Sequence, residues 1–261
     1  MSYLETQFGL AGHKAVITGG GGAICGAIAE GFLRAGASVV LWGRHMSVLE
    51  EKKAVLPFPE RITLQEVDLS DEEAVKSALA ETGDCDILVN GVGGSSCRMP
   101  LVEADVADFE AVVRQNLVAG CFLPTRIFAR MWIEKEIPGC ILNIASMGSY
   151  NPLSGAWAYS AAKAAVMNQT MAHARELAPH GIRVNAIAPG FFLGKQNRKL
   201  LVQEDGTPTE RGARVLKHTP AGRFGEVAEL APAAVFLCSG GAGFVTGVTL
   251  PVDGGYLTDN I

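Results

Sequence analysis

Long apolar runs are missing from this 261-residue sequence, although 48% of its residues are hydrophobic. No run approaches the roughly 18–20 residues of a bilayer-spanning helix, and residues 1–8 lack the basic and apolar regions of a secretory signal. Positive charge is also scarce, because 22 Lys and Arg residues stand against 27 Asp and Glu residues, which gives a net charge of -5. We therefore expect a protein that binds neither a membrane nor nucleic acid, whose phosphate backbone requires a basic face.

Cysteine is sparse and dispersed. The five histidines do not cluster with the cysteines, and no CxxC pair occurs. A zinc site or a disulfide framework requires such clustering. We expect free thiols, no metal site and a cytoplasmic location. The six cysteines are Cys25, Cys85, Cys97, Cys121, Cys140 and Cys238.

Short β-branched runs alternate with longer stretches of helical spacing along most of the chain. The predicted strands are almost continuously apolar, which is typical of a parallel sheet covered by helices on both faces. Length alone permits one large domain or two small ones, but no linker-like tract or repeat divides the chain. The pattern predicts an α/β fold, with one doubly wound parallel sheet in a single domain over 1–261. The predicted strands are 15–18, 38–42, 62–67, 86–90, 140–145, 182–188 and 248–251, and the clearest helices are 23–35, 109–134 and 157–178.

Residues 191–219 depart from this alternation. The segment is rich in Lys, Arg, Gln, Asn and Glu and contains Gly206 and Pro208. Long insertions in compact domains are often lids or binding loops. We expect an inserted loop and helix that cover a bound substrate.

Four glycines, Gly19 to Gly22, connect the first predicted strand to the first predicted helix. Glycine can adopt positive φ and approach a pyrophosphate closely, and the helix N-terminus adds unpaired N–H groups. A glycine loop without a ligand is the alternative, since the strict G-x-G-x-x-G spacing is not present. The place at the edge of an open α/β sheet favours a dinucleotide. The predicted contacts are Gly19, Gly21, Gly22 and Ile24.

The second predicted strand ends without an acidic residue. An acid there binds the ribose 2′-hydroxyl of NAD, whereas a basic residue suits the 2′-phosphate of NADP. Arg44 stands at this position, and arginine can bind a phosphate in bidentate fashion. NADP is therefore favoured and NAD remains possible, because Arg44 can also be a solvated surface residue.

Tyr159 and Lys163 are four residues apart, which places them on the same face of a predicted helix. Tyrosine has an ordinary pKa of about 10, and a nearby ammonium lowers it by favouring the phenolate. Such a phenol can exchange a proton with a carbonyl or alcohol oxygen, which the hydroxyl of Ser146, just after a predicted strand, can also hold. A Tyr-x-x-x-Lys pair alone is often a surface pair. Together with the glycine turn, it predicts hydride transfer between nicotinamide and a carbonyl or alcohol carbon.

Over residues 8–257 the chain resembles the short-chain dehydrogenase/reductase family. The resemblance implies a Rossmann fold and a homotetramer. The landmarks that carry it follow the family's order. They are Thr18-Gly19, Asp68, Asn90-Gly91-Val92-Gly93, Asn116, Ser146, Tyr159 with Lys163, Pro189-Gly190 and Val252-Asp253-Gly254-Gly255.

The resemblance also implies a role for each landmark. Asp68 would bind the adenine amino group, and Lys163 would bind the nicotinamide ribose as well as lowering the pKa of Tyr159. Asn116 would hold a water that relays protons from Lys163, and Ser146 would orient the substrate carbonyl. The remaining implied cofactor contacts are Leu69, Asn90, Gly91, Val92, Gly93, Pro189, Gly190 and Phe192.

Several positions depart from the family pattern. Ala23 and Cys25 replace the second and third glycines of T-G-x-x-x-G-x-G, so the turn should be reshaped. Gly91 replaces the second asparagine of the usual Asn-Asn-Ala-Gly, and Gly194 replaces a threonine that often contacts the nicotinamide amide.

A narrower resemblance concerns the glycine turn and the 191–219 insert, which are similar to the D-mannonate oxidoreductase (fructuronate reductase) branch of the family. The implied substrate is a hexonic acid or its keto form. Its carboxylate requires Arg or Lys, and its hydroxyls require groups such as Asn and Gln. Arg44 differs from the NAD preference that this branch implies. The predicted substrate residues are Ser146, Tyr159, Gln196, Asn197, Arg198 and Arg211.

Three alternatives stay open. The two insert arginines can instead pair with Glu204, Asp205 or Glu210. The enzyme can be a 3-oxoacyl thioester reductase, against which the polar insert argues. The chain can also be a dinucleotide-binding protein without catalysis, because sites rather than folds carry function.

Overall fold

The computed structural model describes residues 2–94, 100–194 and 198–259. Within these ranges seven strands form one parallel sheet in the order β3-β2-β1-β4-β5-β6-β7. The predicted α/β fold with a doubly wound parallel sheet is therefore confirmed. The strands are β1 Lys14–Thr18, β2 Ser38–Gly43, β3 Ile62–Glu66, β4 Ile87–Asn90, β5 Cys140–Ile144, β6 Arg183–Pro189 and β7 Thr249–Val252.

Helices cover both faces of the sheet, because alternate strand residues point to opposite sides. On β1, Ile17 packs in a buried cluster with Phe32, and the neighbouring Val16 packs in a second cluster with Phe128 and Trp132. None of the helices in the described ranges is long and apolar enough to cross a membrane. The α-helices are α1 Tyr3–Phe8, α2 Ala23–Arg34, α3 Met46–Val55, α4 Glu72–Thr82, α5 Val106–Val113, α6 Leu123–Glu134, α7 Trp157–Leu177, α8 Arg198–Leu201, α9 Glu210–Lys217 and α10 Leu230–Cys238.

The predicted continuous helix over 109–134 is interrupted. Nine residues between α5 and α6, Arg114–Phe122, form a π-helical segment. Gly120 in this segment lies so close to the loop after β4 that an added Cβ would be 2.4 Å from the Val92 carbonyl oxygen. The π-helical turn is wider than an α-helical turn and brings the segment into contact with the loop. Such π-helical segments are frequent at functional sites.

The strand order reverses between β1 and its two neighbours, β2 and β4. In open parallel sheets, ligands bind in the crevice outside the carboxyl ends of the strands at such a reversal. The glycine turn, the loop after β4 and Ser146 after β5 all follow carboxyl ends. The described part of the 191–219 insert contains α8 and α9 and follows the carboxyl end of β6.

Candidate active site

The glycine turn fits a dinucleotide pyrophosphate. Gly19 has φ +67°, and a Cβ there would lie 3.1 Å from the Gly91 carbonyl carbon. Gly22 is the N-cap of α2 and makes no side-chain capping bond, so the first turn of the helix, which includes Ile24, presents backbone amides at this edge. Positive φ, close backbone approach and an uncapped helix N-terminus are the features that bind phosphate.

Cys25 and Gly91, two departures from the family pattern, are in contact. A Cβ on Gly91 would lie 2.1 Å from Cys25 Sγ and 2.6 Å from the Thr18 carbonyl oxygen. The thiol points to that same oxygen at 3.4 Å, and Gly91 N–H donates to Thr18 Oγ1 at 3.0 Å. The cysteine therefore fills the volume that a side chain at position 91 would need.

Lys163 is buried in α7 and is only 4% exposed. Its Nζ donates to the Ile144 carbonyl oxygen at 2.7 Å, two residues before Ser146, and lies 5.9 Å from the centre of the Tyr159 ring. Burial lowers the pKa of Lys163 from 10.5 to about 8. The ammonium is thus held next to the tyrosine in a form that gives up its proton more easily than an exposed lysine does.

Ser146 and Tyr159 lie on adjacent elements. Ser146 Oγ accepts from Gly148 N–H at 3.0 Å, which fixes the turn after β5. That turn is bound to α7 because Ser149 Oγ donates to the Lys163 carbonyl oxygen at 2.8 Å. Trp157, at the start of α7, stacks on Phe109 of α5 with ring centres 5.7 Å apart. The structure therefore brings the segments that carry Ser146, Tyr159 and Lys163 together at one end of the sheet.

Asn116 joins this group from the π-helical segment. Its Nδ2 donates to the carbonyl oxygens of Gly94 at 2.8 Å and Val112 at 2.9 Å, and its Oδ1 accepts from Gly94 N–H at 3.0 Å. A Cβ on Gly93 would lie 2.6 Å from Asn116 Oδ1 and 3.0 Å from Lys163 Nζ. The absence of a side chain at Gly93 is what allows these two polar groups to approach the same loop.

Asn90 is directed into the interior. Its Nδ2 donates to Thr125 Oγ1 at 2.9 Å and to Asn143 Oδ1 at 2.8 Å, and Asn143 Nδ2 donates to Thr170 Oγ1 at 2.9 Å. This buried series of hydrogen bonds links β4 and β5 to α6 and α7. Of the predicted contacts in this loop, Asn90 has only its backbone available to a cofactor, while Gly91 and Val92 are half-buried and Gly93 is exposed at the crevice.

The predicted adenosine end contains Arg44 and Asp68, both exposed, and Leu69, which is buried. Hydrogen bonds from Ser70, with a smaller contribution from Arg44, lower the pKa of Asp68. Glu66, which the sequence did not single out, also lies here because the parallel register pairs it with Gly43. Its carboxylate accepts from Met46 N–H at 2.7 Å.

Pro189 ends β6, and Gly190 N–H donates to the Val252 carbonyl oxygen at 2.9 Å. The Phe192 ring packs so closely on Gly225 that a Cβ there would be 2.4 Å from a ring carbon. Phe192 is buried among core residues. Its backbone therefore remains as the part available to a cofactor.

The two predicted arginines of the insert lie on different helices. Arg198 begins α8 and is exposed, and within the described ranges it makes no ion pair. Arg211 is half-buried in α9. Asp205 instead accepts from the Thr207 backbone and hydroxyl, and Glu210 pairs with Arg214 at 3.8 Å. Gln196 and Asn197, like Cys97, lie outside the described residues.

Comparison with known proteins adds sequence and structural relatives over almost the whole chain. The family model described as enoyl-(acyl carrier protein) reductase matches residues 21–257. The uncharacterized oxidoreductase UxuB of Bacillus subtilis is 37% identical, over 95% of this chain and 96% of its own length.

Solved structures give the same picture. A candidate D-mannonate oxidoreductase of Haemophilus influenzae with bound NAD has a TM-score of 0.88 and 33% identity, over 97% of each chain. A gluconate 5-dehydrogenase of Burkholderia cenocepacia in complex with NADP and tartrate also has a TM-score of 0.88 and 33% identity, over 98% of this chain and 99% of the other.

Proposed function

Because this chain belongs to the short-chain dehydrogenase/reductase family, and is thus an NAD(P)-dependent oxidoreductase acting on CH–OH groups, we propose that its substrate is a sugar acid. The reaction would interconvert a ketone and a secondary alcohol on a hexonate such as fructuronate/D-mannonate. The observation that carries the proposal is a half-buried Tyr159 next to a buried Lys163, combined with a polar, arginine-bearing insert. Relatives named for D-mannonate and gluconate, one of them binding tartrate, support it.

In this proposal the nicotinamide supplies or accepts the hydride, and the protein moves the proton. Tyr159 donates to the ketone oxygen in the reductive direction and takes the proton back in the oxidative one. Lys163, whose ammonium lies 5.9 Å from the ring centre, favours the phenolate electrostatically. Ser146 orients the substrate oxygen, and Asn116 would hold a water that relays protons between Lys163 and solvent.

The carboxylate of a sugar acid needs a cation outside this proton-transfer centre. Arg211 and Arg198 supply guanidinium groups in the segment that follows β6, and such groups bind carboxylates in bidentate geometry. Gln196 and Asn197 supply amides for the hydroxyls. A long acyl thioester would not need this set of polar groups.

The test is a substrate panel with purified protein, in which NAD(P)H oxidation is followed with fructuronate, 5-ketogluconate and acetoacetyl thioester. We expect kcat/KM for at least one keto acid to exceed that for the thioester by about 100-fold or more, since the site is built to bind polar groups. Tyr159→Phe is the negative control, which should lose turnover while still binding the cofactor. Turnover of the thioester alone would overturn the proposal, and so would cofactor binding without turnover of any keto acid.

The cofactor is a nicotinamide dinucleotide, and solved relatives bind NAD or NADP. We propose that Arg44, exposed after β2, favours NADP through its charge. The fit of the glycine turn to a pyrophosphate is common to both cofactors.

We further propose that the chain forms a homotetramer in the cytoplasm. Exposed apolar side chains occur on the π-helical segment (Val118 and Phe122), on α6 and α7 (Ile133 and Met171), and in or just before β7 (Phe244, Val248 and Leu250), and we propose that they belong to two different subunit interfaces. Two different self-complementary faces suit a tetramer, whereas one suffices for a dimer. Light scattering should therefore give about four times the mass of one chain, and a monomer mass would contradict this.

The proposed location in the cytoplasm is supported by the cysteines. The free, buried thiols of Cys25, Cys85, Cys121, Cys140 and Cys238 suit a reducing compartment.

A further inference from the structure

Glu66 supplies a carboxylate at the end of β3 where the adjacent strand lacks one. The parallel register aligns Glu66 with Gly43, the last residue of β2. Glu66 Oε2 accepts from Met46 N–H at 2.7 Å, at the first residue of α3. His45, the N-cap of α3, makes no side-chain capping bond. The acid therefore caps α3 from a neighbouring strand.

This corner lies beside the glycine turn. Gly20 N–H donates to the Trp42 carbonyl oxygen at 2.9 Å. A Cβ on Gly21 would lie 2.6 Å from a methyl carbon of Val48, in the first turn of α3. In open α/β folds the end of the second strand faces the adenosine ribose of a bound dinucleotide. Arg44 and Glu66 thus present opposite charges at the place where NAD carries a hydroxyl and NADP a phosphate.

We propose that Glu66 determines cofactor specificity by opposing a 2′-phosphate, and that the preference of the enzyme is a balance between Glu66 and Arg44. The Glu66 carboxylate already occupies the α3 amide that a phosphate would use, and it repels a phosphate dianion. It can accept a hydrogen bond from a 2′-hydroxyl instead. Because Glu66 is exposed, solvent and salt limit the size of the effect.

This inference deepens the cofactor assignment and does not depend on the sugar-acid substrate. Its experiment is therefore a binding measurement without substrate. Isothermal titration calorimetry gives the Kd of NADP and of NAD for wild type, Glu66→Gln, Arg44→Gln and Glu60→Gln. Glu60 precedes β3 and lies at the other end of that strand, so Glu60→Gln makes the same charge change far from the cofactor corner.

We expect Glu66→Gln to shift the Kd ratio in favour of NADP by about five- to tenfold, the size of a moderately screened charge interaction. The Kd of NAD should change little, because the amide oxygen can still accept from Met46 N–H and from a 2′-hydroxyl. Arg44→Gln should shift the ratio in the opposite direction, and Glu60→Gln should leave it unchanged.

A purely structural cap would behave differently. Glutamine preserves the cap, so a ratio within twofold of wild type in folded Glu66→Gln would overturn the proposal. An equal shift in Glu60→Gln would also overturn it, because net charge alone would then explain the effect. If circular dichroism shows that Glu66→Gln is unfolded, Glu66→Ser replaces it, with the same expected direction and the same unchanged ratio as the refuting result.

Discussion

Replacing Lys163 by methionine is expected to remove most turnover and, at the same time, to stabilise the folded protein at neutral pH. The Lys163 side chain is 4% exposed, and burial lowers its pKa to about 8. Methionine has a similar length and fills the site without charge. Loss of the ammonium beside Tyr159 should lower kcat/KM by about 10²- to 10⁴-fold, the usual contribution of a proton-transfer group.

The sign of the stability change follows from the direction of the pKa shift. Since the folded pKa of about 8 is below the ordinary 10.5 of lysine, the unfolded chain binds more protons between these values. The cost of burying the ammonium is fully present below pH 8 and disappears as pH rises toward 10.5. This cost is about 3 kcal/mol, and the lost hydrogen bond to the Ile144 carbonyl oxygen offsets about 1–2 kcal/mol. Lys163→Met should therefore be about 1–2 kcal/mol more stable below pH 8.

Urea unfolding from pH 6 to 10, without cofactor, measures this difference in the free energy of unfolding. The gain of the variant should be constant below pH 8 and should shrink above it. Burial raises the pKa values of the Cys25 and Cys121 thiols to about 12, although Lys163 lowers both slightly. Both thiols therefore stay protonated in the folded state up to pH 10 with or without Lys163, and their effect cancels in the difference. Lys163→Arg is the control, because it keeps the charge and should gain nothing. A difference that is independent of pH would contradict the buried-ammonium explanation.

The sheet was predictable because its strands carry their own signal. Val16 and Ile17 lie on opposite faces of β1 and are both fully buried, so the strand is continuously apolar over Ala15, Val16 and Ile17, which is typical of a parallel strand covered on both faces. The π-helical segment Arg114–Phe122 was not predictable in the same way. Over nine residues the side-chain spacing of a π-helix differs too little from that of an α-helix to be recognised in a sequence. The contact of the segment with Val92 is tertiary, so it has no signal in the local sequence.

The proximity of Tyr159 and Lys163, on which the proposed proton transfer depends, was predictable because both residues lie on one helix, where spacing along the chain fixes proximity. Of the two charged residues in the corner around Arg44, the sequence identified only Arg44. An acid was expected at the end of β2, whereas Glu66 lies at the same place on β3 because the strand register pairs it with Gly43. Asn90 shows a related limit, since the strand pleat rather than the residue type directs its side chain toward Asn143.

Gly91→Ala is expected to destabilise the folded chain by about 3 kcal/mol or more, at the upper end for overpacking a core. The new Cβ would lie 2.1 Å from Cys25 Sγ and 2.6 Å from the Thr18 carbonyl oxygen. Neither neighbour can retreat easily, because Cys25 is buried in α2 and Thr18 is held in β1 by its bonds to Val89 and Gly91. Cys25 and Gly91 are therefore one packing unit, and the sequence departures at these two positions compensate each other.

A double-mutant cycle tests this coupling by urea unfolding at a fixed protein concentration. Cys25→Gly removes the sulfur contact but leaves the Thr18 carbonyl contact, so Cys25→Gly/Gly91→Ala should recover part of the loss, with a coupling energy of about 1–2 kcal/mol. Gly94→Ala is the matched control, because among the residues that the structure describes a Cβ there meets only Gln115 Nε2, at 3.8 Å, and it should change stability by less than about 1 kcal/mol. Additive losses in the double variant would mean that Cys25 and Gly91 do not share one volume, and the family glycine at position 25 would then have been replaced independently of position 91.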